Sequence, residues 1–433
     1  MSVKVERFSS PGKGNGLRAV SGVPAGGRVW SAAPLAACVS NTLTGEVCSG
    51  CFTRRASLRR CSQCQTARYC NASCQRRAWS VHKRECVCLR DLLPRAPTDS
   101  VRLAARILFT PRLNSSAKQS EELYTLEEHE SHLDSMSEQK RRGLSQLADM
   151  LQIYLQPEVP DLMEEMTSLP PSCQDPLSLL AKVACNCFTI SDEELKEVGV
   201  GLYPSLSLLN HDCRPNCVVV FEGSRLVLRA VRDVCPGEEL LISYIDSVSV
   251  TADRQRQLSD QYHFTCSCQC CATQAMDGAM LCGEESCWRP LEQALPRLEG
   301  LQVESQWTAV LEACGPLLSV AEDAVPDDNV HKLRVVDLAL DACVNLGVWG
   351  RALTYGLKTL PAYRRYYPDP HPAHGLQLMR VGKLQHYLGN TQEAMVLLRQ
   401  AYEILRITHG EQSPLCSRLS LKLEQCRAEI PLS

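Results

Sequence analysis

Eight metal-capable residues between positions 48 and 86 constrain the fold of this chain more than any other feature. They form four pairs, Cys48-x2-Cys51, Cys61-x2-Cys64, Cys70-x3-Cys74 and His82-x3-Cys86. Seven cysteines and one histidine are enough for two closed tetrahedral zinc sites. Because so short a segment cannot bury a sufficient hydrophobic core, bound metal would have to stabilise it. A redox Cys-x2-Cys pair is the alternative interpretation, but it leaves the remaining ligands without a role.

The cysteine content also bears on the compartment. The chain has 433 residues, of which 25 are cysteines and 44% are hydrophobic, and its net charge is -3. This length allows about two to four folded domains, and the charge favours no class of partner. No apolar stretch reaches the length of a membrane span, and residues 1–8 lack the apolar core of a signal peptide. We therefore expect a monomer of the cytoplasm and nucleus, without membrane contact, whose clustered thiols bind metal rather than form disulfides.

A glycine-rich turn follows the first predicted strand. In Gly12-Lys13-Gly14-Asn15-Gly16 three glycines stand at alternate positions, which lets a ligand approach the backbone closely. The turn matches neither a P-loop nor a dinucleotide fingerprint, because no strand-turn-helix context follows it. A tight hairpin without a ligand is the alternative interpretation.

Residues 199–217 concentrate polar groups between two predicted strands. The dipeptide Asn210-His211 is followed closely by Cys213, and a further predicted strand at 240–244 ends in Tyr244. Amide, imidazole and thiol groups in one turn indicate a ligand or metal site. An ordinary turn and a packing tyrosine are the alternatives.

A second cysteine-rich segment, Cys266-x-Cys268-x2-Cys271, supplies three ligands, one fewer than a structural zinc site needs. Cys213 is the natural fourth ligand and would hold this tail against the polar turn. Cys217 and Cys270 are competitors that spacing alone does not exclude.

The rest of the chain is predicted to be mostly helical. Apolar spacing near three and four residues predicts helices at 101–109 and 144–155, with a polar loop at 114–122. A short, charged helix is predicted at Thr251–Tyr262. From about residue 291 we predict a separate helical domain. The pattern Leu-Gly-x4-Ala begins at Leu346 and recurs 42 residues later at Leu388. A small residue after leucine and an alanine in the next helix are expected to let helix pairs pack closely, in a tetratricopeptide-like arrangement.

The cysteine-rich segment resembles a MYND zinc finger in its pieces CSGC, CSQC, YCNASCQRRAW and HKREC. The resemblance implies interleaved sites, with Cys48, Cys51, Cys70 and Cys74 on one zinc and Cys61, Cys64, His82 and Cys86 on the other. The finger is also basic, and only Glu85 opposes its positive charges, which come from Arg54, Arg55, Arg59, Arg60, Arg68, Arg76, Arg77, Lys83 and Arg84. Such a surface could make weak contacts with DNA phosphates. Proline-rich peptides are the other partners expected for the finger.

The pieces KGNGLRA, CNCFTI, GLYPSLSLLNHDCRPNC and GEELLISY resemble a split SET domain into which the finger is inserted. In this order, with the cysteine tail and the helical end, the chain resembles the SET and MYND domain lysine methyltransferases. The resemblance implies an α+β multidomain fold with a split β-rich SET domain, a MYND finger, a post-SET zinc tail and an all-α tetratricopeptide-like C-terminal domain. The implied limits are 1–45 and 181–247 for the SET parts, 48–86 for the finger, 90–180 for a helical insertion, 250–272 for the tail and 278–433 for the helical domain.

The resemblance also implies S-adenosylmethionine as methyl donor and three zinc ions. The donor-binding positions that it implies are Lys13, Gly14, Asn15, Tyr124, His132, Asn186, Asn210, His211, Tyr244 and Phe264. Tyr244 is the predicted catalytic residue, and Tyr203 and Tyr262 are predicted to form the lysine channel. The chain departs from the family at three of the positions considered: His132 stands where Asn is frequent, Asp212 replaces Ser, and Arg214 stands where Asp is frequent.

The implied activity is methyl transfer to lysine side chains of histone tails, cytoplasmic proteins or both. An alternative is a zinc-dependent scaffold with an inactive SET portion, which binds partners through the finger and the helical domain. A sequence-specific DNA-binding regulator is a third interpretation, and it rests on the basic finger alone.

Overall fold

The computed structural model describes residues 5–110, 119–158 and 170–430. Its twelve strands form small sheets in the SET region and in the finger. In chain order the strands are β1 Val5–Ser10, β2 Gly14–Ala19, β3 Arg28–Ala32, β4 Ala36–Val39, β5 Arg59–Arg60, β6 Arg68–Tyr69, β7 Cys187–Ser191, β8 Glu197–Leu202, β9 Asn210–His211, β10 Cys217–Glu222, β11 Arg225–Ala230 and β12 Leu241–Ile242.

Strands that are distant in sequence form the SET core. β4 pairs with β8, which pairs with β7, and β3 pairs with β11, which pairs with β10. The residues before and after the finger therefore share sheets. Leu17, Val29, Leu206, Leu228 and Leu240 are among the buried side chains that fill the space between these strands.

The parallel pairing of β9 with β12 brings the polar turn at Asn210–His211 next to the strand that precedes Tyr244. Leu241 lies opposite Asn210, and Ile242 lies opposite His211. The strand predicted at 240–244 is shorter than expected, because the N–H of Tyr244 donates to the imidazole of His211 instead of to a strand carbonyl.

Fifteen α-helices occur in the described ranges. They are α1 Ala72–Asp91, α2 Asp99–Phe109, α3 Glu138–Leu155, α4 Pro171–Gln174, α5 Pro176–Asn186, α6 Thr251–Tyr262, α7 Gln269–Thr273, α8 Asp277–Met280, α9 Glu285–Val303, α10 Trp307–Val320, α11 Val330–Asn345, α12 Trp349–Tyr366, α13 Pro372–Tyr387, α14 Thr391–Leu405 and α15 Pro414–Glu429. The predicted helix at Thr251–Tyr262 has the same bounds in the structure, and the predicted loop at 114–122 lies partly outside the described residues.

The C-terminal helices pack in consecutive pairs, and the repeated motif marks the turns between them. Gly347 and Gly389 have positive φ values of 71° and 86°, so they end their helices in the left-handed conformation. The prediction that these two glycines allow close packing was wrong. No atom of the described residues lies within 4 Å of the Cβ position at Gly389, and the nearest atom at Gly347, 3.8 Å away, belongs to Trp349 in the same chain turn. Gly382 has that role, since its Cβ would meet Leu398 at 2.9 Å.

The α+β architecture and the helical C-terminal region confirm the predicted fold class. Within the described ranges, no helix combines the length and the apolar character that a membrane crossing requires.

Candidate active site and metal-binding clusters

Three groups of four side chains bring their ligand atoms within 4.8 Å of one another. The first two are the groups that the resemblance implied. The third takes Cys213 rather than Cys217 or Cys270 as its fourth member. Their members are Cys48, Cys51, Cys70 and Cys74; Cys61, Cys64, His82 and Cys86; and Cys213, Cys266, Cys268 and Cys271.

The spacing of these atoms fits zinc. A tetrahedral ion with Zn–S bonds of about 2.3 Å needs sulfur atoms about 3.8 Å apart. The Sγ atoms of Cys51 and Cys70 are 3.7 Å apart, and those of Cys61 and Cys86 are 3.8 Å apart. All twelve positions are described, and every cysteine among them is a free thiol.

Local structure explains how the finger presents its ligands. Asn71 caps α1 by accepting the N–H of Cys74, and this places Cys74 in the first turn. His82 and Cys86 follow one turn apart on the same helix and are both buried. The helix thus contributes to both finger clusters.

Glu85, on the same helix, lies at the centre of a buried ionic network that sequence reasoning missed. Its carboxylate pairs with Arg106 at 2.5 Å and Arg102 at 3.1 Å, and it lies 3.6 Å from Nδ1 of His82. The two arginines also donate to the carbonyls of Ala37 and Val39 in β4. Burial alone would raise the pKa of Glu85, but Arg106, Arg102 and hydrogen bonds from His82 and Arg106 hold it well below its usual range.

The predicted catalytic residue lies in a group of four rings. The Tyr244 ring centroid is 4.8 Å from that of Tyr262, 5.4 Å from that of His211 and 6.1 Å from that of Phe264. The hydroxyl of Tyr244 donates to the carbonyl of Leu209 at 2.5 Å. Burial raises the pKa of Tyr244 well above its usual value, so the phenol stays protonated.

Tyr203, the other predicted channel residue, lies outside this group of rings. Its ring packs against Phe188 and Phe221, and its hydroxyl donates to the carbonyl of Ser224 at 2.5 Å. The side chain is fully buried. Tyr203 is therefore a core side chain that packs on Phe188 and Phe221.

His211 joins the polar turn to the third cysteine cluster. Nδ1 accepts the N–H of Tyr244 at 3.0 Å, which assigns the ring proton to Nε2. Nε2 lies 3.4 Å from Sγ of Cys213. Burial lowers the pKa of His211 to about 4, so the ring is neutral at physiological pH.

The first of the residues predicted to bind S-adenosylmethionine lie together at the β1–β2 hairpin. Asn210 donates to the carbonyl of Asn15 at 3.0 Å, and Lys13 reaches the carbonyl of His211 at 3.5 Å. Gly14 has a φ of 78°, and no atom lies within 4 Å of the position of a Cβ there. The hairpin therefore leaves open space beside a cationic side chain, which fits a small anionic ligand group.

The remaining residues predicted to bind S-adenosylmethionine come from the segment before α3 and from α5. Tyr124 donates to the carbonyl of Glu128 at 2.6 Å, and Asn186 donates to the carbonyl of Glu130 at 3.0 Å. His132 stacks on His263. The contacts of Tyr124, Asn186 and His132 thus all support the segment of residues 119–137.

Two charged residues that the sequence did not single out connect the β1–β2 hairpin with Tyr124 and with Asn210. Arg7 lies over the ring of Tyr124 at 5.0 Å and donates to Asn15 Oδ1 at 3.2 Å. Glu239 accepts from Asn210 at 2.8 Å and lies 3.9 Å from the Lys13 ammonium. The piece GEELLISY contains Glu239 and could have indicated it, whereas nothing in the sequence distinguishes Arg7 from other exposed strand residues.

A cavity of about 900 Å³ lies beside this site. None of the residues predicted to bind S-adenosylmethionine lines this cavity. Its lining includes Leu144, Cys185, Asp260, Gln261 and His263, several of which neighbour site residues in the chain.

Comparison with known proteins agrees with this geometry. The family model of the SET domain matches residues 14–245. Human histone-lysine N-methyltransferase SMYD3 is 44% identical over 100% of this chain and 99% of its own length, and the mouse protein of that name is 43% identical over 100% of both. Bovine N-lysine methyltransferase SMYD2 is 33% identical over 97% of this chain and 98% of its own length. The chain therefore belongs to the SET and MYND domain family of protein-lysine N-methyltransferases.

Proposed function

We propose that this chain transfers a methyl group from S-adenosylmethionine to lysine side chains of histone and non-histone proteins, with Tyr244 as the catalytic residue. Human SMYD3 is named for histone-lysine methylation and bovine SMYD2 for N-lysine methylation, and this supports both substrate classes. The observation that carries the residue assignment is the connected set of Tyr244, His211, Asn210 and the open glycine hairpin.

S-adenosylmethionine, when bound, supplies an activated methyl group on a positively charged sulfur. Lys13 would hold its carboxylate, and the backbone at Gly14 and Asn15 would line its open side. Asn210, His211 and Asn186 offer polar groups, and Tyr124 and Phe264 offer aromatic faces. His132 belongs to the same proposed set through its contact with His263.

Methyl transfer requires alignment of sulfur, methyl carbon and a neutral lysine nitrogen in one line. The lysine ammonium would first release a proton to solvent, and the N–C bond would then form as the S–C bond breaks. Because the hydroxyl hydrogen of Tyr244 is used by Leu209, its oxygen lone pairs are free to accept weak C–H···O contacts from the methyl group. The rings of Tyr244 and Tyr262 would form the lysine channel, supported by Tyr203 from the core.

We also propose three structural zinc ions, one in each cysteine cluster. The finger would be folded by its two ions, and the third would hold the tail that carries Tyr262 and Phe264. The domain limits given above remain predictions.

The finger would serve as a partner site. Arg59, Arg60, Arg76, Arg77 and Lys83 are exposed, which suits weak DNA contact or a proline-rich peptide partner. Action on histones and cytoplasmic proteins would place a monomeric enzyme in both nucleus and cytoplasm.

The test is labelled methyl transfer from S-adenosylmethionine into histones and into a cytoplasmic extract, with the modified sites mapped by mass spectrometry. Binding of the donor is measured separately by calorimetry. Donor binding with methyl transfer supports the proposal. A protein that holds its zinc ions but neither binds the donor nor transfers a methyl group contradicts it and favours the scaffold alternative.

A further inference from the structure

Arg7 in β1 contacts two separate parts of the site proposed for the methyl donor. Its Nε donates to Oδ1 of Asn15 at 3.2 Å, in the β1–β2 hairpin. The same guanidinium lies over the ring of Tyr124, with Cζ 5.0 Å from the ring centroid. Nη1 also donates to the carbonyl of Leu123, the neighbour of Tyr124 in the chain, at 3.4 Å. One side chain therefore restrains the hairpin relative to the segment of residues 119–137.

We propose that Arg7 is a positioning residue for S-adenosylmethionine, because it holds Asn15 and Tyr124 at the separation at which both contact the donor. This role rests on the proposed function, since it adds a residue to the same site. Arg7 acts through Asn15 and Tyr124 rather than on the donor itself, and Tyr244 remains the catalytic residue. The benefit is preorganisation, because a site that is already held in its bound arrangement loses less freedom when the ligand binds.

Glu128 holds the guanidinium and the tyrosine at the same time. Its Oε1 accepts from Nη1 of Arg7 at 2.5 Å, and its Oε2 accepts the N–H and the hydroxyl of Thr125 at 2.9 Å and 3.0 Å. Its backbone carbonyl accepts the hydroxyl of Tyr124 at 2.6 Å. Partial burial acts to raise the pKa of Glu128, but the hydrogen bonds from Arg7 and Thr125 hold it below its usual value, so the carboxylate is charged at neutral pH. The contacts therefore form a closed loop from Arg7 through Glu128 to Tyr124.

The two parts that Arg7 connects are each anchored independently of it. Nζ of Lys182 donates to the carbonyls of Leu126 and Glu127, at 3.2 Å and 2.6 Å, and so fixes the segment to α5. The hairpin is held because β2 hydrogen-bonds to the backbone of residues 237–240. The two side chains of the ion pair that Arg7 makes are 33% and 39% exposed, and pairs this exposed add little to stability. Loss of Arg7 should therefore leave both parts folded and change mainly their relative position.

Arg18, in β2 of the same hairpin, is the matched control. It has the same two kinds of contact, an ion pair with Glu6 at 2.7 Å and the ring of Phe8 at 5.3 Å from its Cζ. The exposure of this ion pair is similar, at 40% and 47% for the two side chains. Both partners belong to the hairpin, so these contacts do not join it to the segment of residues 119–137. A general effect of losing an exposed arginine should therefore appear at both positions, and a loss of positioning only at Arg7.

The experiment compares Arg7→Met with Arg18→Met, which remove the charge and keep an unbranched side chain. Donor affinity is measured by calorimetry, and steady-state transfer to a lysine peptide gives kcat and the KM for each substrate. We expect Arg7→Met to bind S-adenosylmethionine about ten-fold more weakly, as when one hydrogen bond of a charged group is lost. Arg18→Met should stay within about two-fold of the wild type.

Two further readouts separate positioning from a merely structural role. For Arg7→Met the KM for the donor should rise while kcat and the KM for the peptide stay nearly unchanged, because the lost contacts act equally on the bound donor before and during the reaction. Glu128→Gln should weaken donor binding in the same way, and the double variant should be no weaker than Arg7→Met, since both changes break one chain of contacts. Zinc content and the thermal midpoint should be the same for Arg7→Met and Arg18→Met.

Equal donor affinities in the Arg7→Met and Arg18→Met proteins would overturn the role of Arg7, and so would additive losses in the double variant. A thermal midpoint that falls much further in Arg7→Met than in Arg18→Met would show a structural role instead. If the wild type binds no donor, the proposed function itself fails. Failure of the positioning role alone is recognised because the wild type then binds the donor and Arg7→Met binds it equally well.

Discussion

The backbone N–H of Tyr244 donates to Nδ1 of His211 at 3.0 Å, so one imidazole fixes the peptide of the predicted catalytic residue. The other nitrogen of this ring lies 3.4 Å from Sγ of Cys213. A neutral imidazole with its proton on Nε2 donates to a thiolate there, as ligand-supporting groups do in metal sites. His211 therefore connects the third cluster, where we propose a zinc ion, to the predicted catalytic residue.

Tyr244→Phe removes the hydroxyl and keeps the ring. The contacts with Tyr262 and Phe264 remain, whereas the hydrogen bond to Leu209 and the oxygen that we propose contacts the methyl group are lost. We expect methyl transfer to fall about a hundred-fold or more, as misalignment at a reacting centre does. Single-turnover transfer of labelled methyl groups, together with donor affinity, separates this loss from weaker binding.

Tyr203→Phe is the matched control for that variant. It also removes one buried tyrosine hydroxyl, but this hydroxyl donates to Ser224 within the core. We expect a loss of about 1 kcal/mol in the free energy of unfolding with most activity retained. Wild-type transfer rates in a folded Tyr244→Phe protein would refute the catalytic assignment.

Cys213→Ser tests the link between metal and catalysis. It removes one of four ligands from the third cluster, so the protein should retain about two zinc ions of three. The tail that carries Tyr262 and Phe264 should loosen, and transfer should fall about ten- to a hundred-fold, as when supporting groups of metal sites are lost. Zinc is counted by elemental analysis of the purified variant.

The two competing cysteines provide the controls for this experiment. Cys217 is buried in the SET core, and Cys270 lies 3.6 Å from the guanidinium of Arg254. Neither belongs to the third cluster. Cys217→Ser and Cys270→Ser should therefore keep three zinc ions, and a loss of zinc from either, with none from Cys213→Ser, would show that the cluster is assigned incorrectly.

Motifs confined to short segments were predictable from the sequence, but contacts across the chain were not. Apolar periodicity predicted the helices that the structure has at Asp99–Phe109 and Glu138–Leu155, and the family resemblance implied the two ligand groups of the finger. Arg7 and Glu128 are 121 residues apart, and Glu85 and Arg106 are 21 apart across the finger boundary. No local pattern marks such pairs, because tertiary packing alone brings them together. The short strand before Tyr244 was mispredicted for a similar reason, since a side chain of another strand takes its N–H.

Glu85→Gln tests how the finger is attached to the SET core. The change keeps the size of the side chain but leaves Arg102 and Arg106 buried without an anion. Breaking a buried ionic network in this way costs about 3 to 5 kcal/mol in the free energy of unfolding. Chemical denaturation at neutral pH measures the loss, and Glu46→Gln, in an exposed pair with Arg54, should cost about 1 kcal/mol or less.

The sign of the pH dependence follows from the pKa of Glu85. Its folded-state pKa is lowered, so the stabilisation is fully present above the unfolded value of about 4.3 and is lost as the pH falls through the folded value. The difference in stability between the wild type and Glu85→Gln should therefore be constant from neutral pH down to about pH 5. A difference that disappears near pH 7 would contradict the assignment of the charge to Glu85.

The pH dependence of the reaction itself should reflect the substrate and not the tyrosines. Burial raises the pKa of Tyr262 to about 12 and that of Tyr244 well above its usual value, so both phenols remain protonated over the working range. The reacting lysine must be neutral, and its free pKa is about 10.4. We expect kcat/KM to rise about ten-fold per pH unit between about pH 7 and about pH 9, with no decline from phenol ionisation.

The profile is measured with a lysine peptide at a saturating concentration of S-adenosylmethionine, for the wild type and for Tyr262→Phe. Equal slopes in the two proteins support this account, whereas a decline below about pH 9 that Tyr262→Phe abolishes would show that Tyr262 ionises during the reaction.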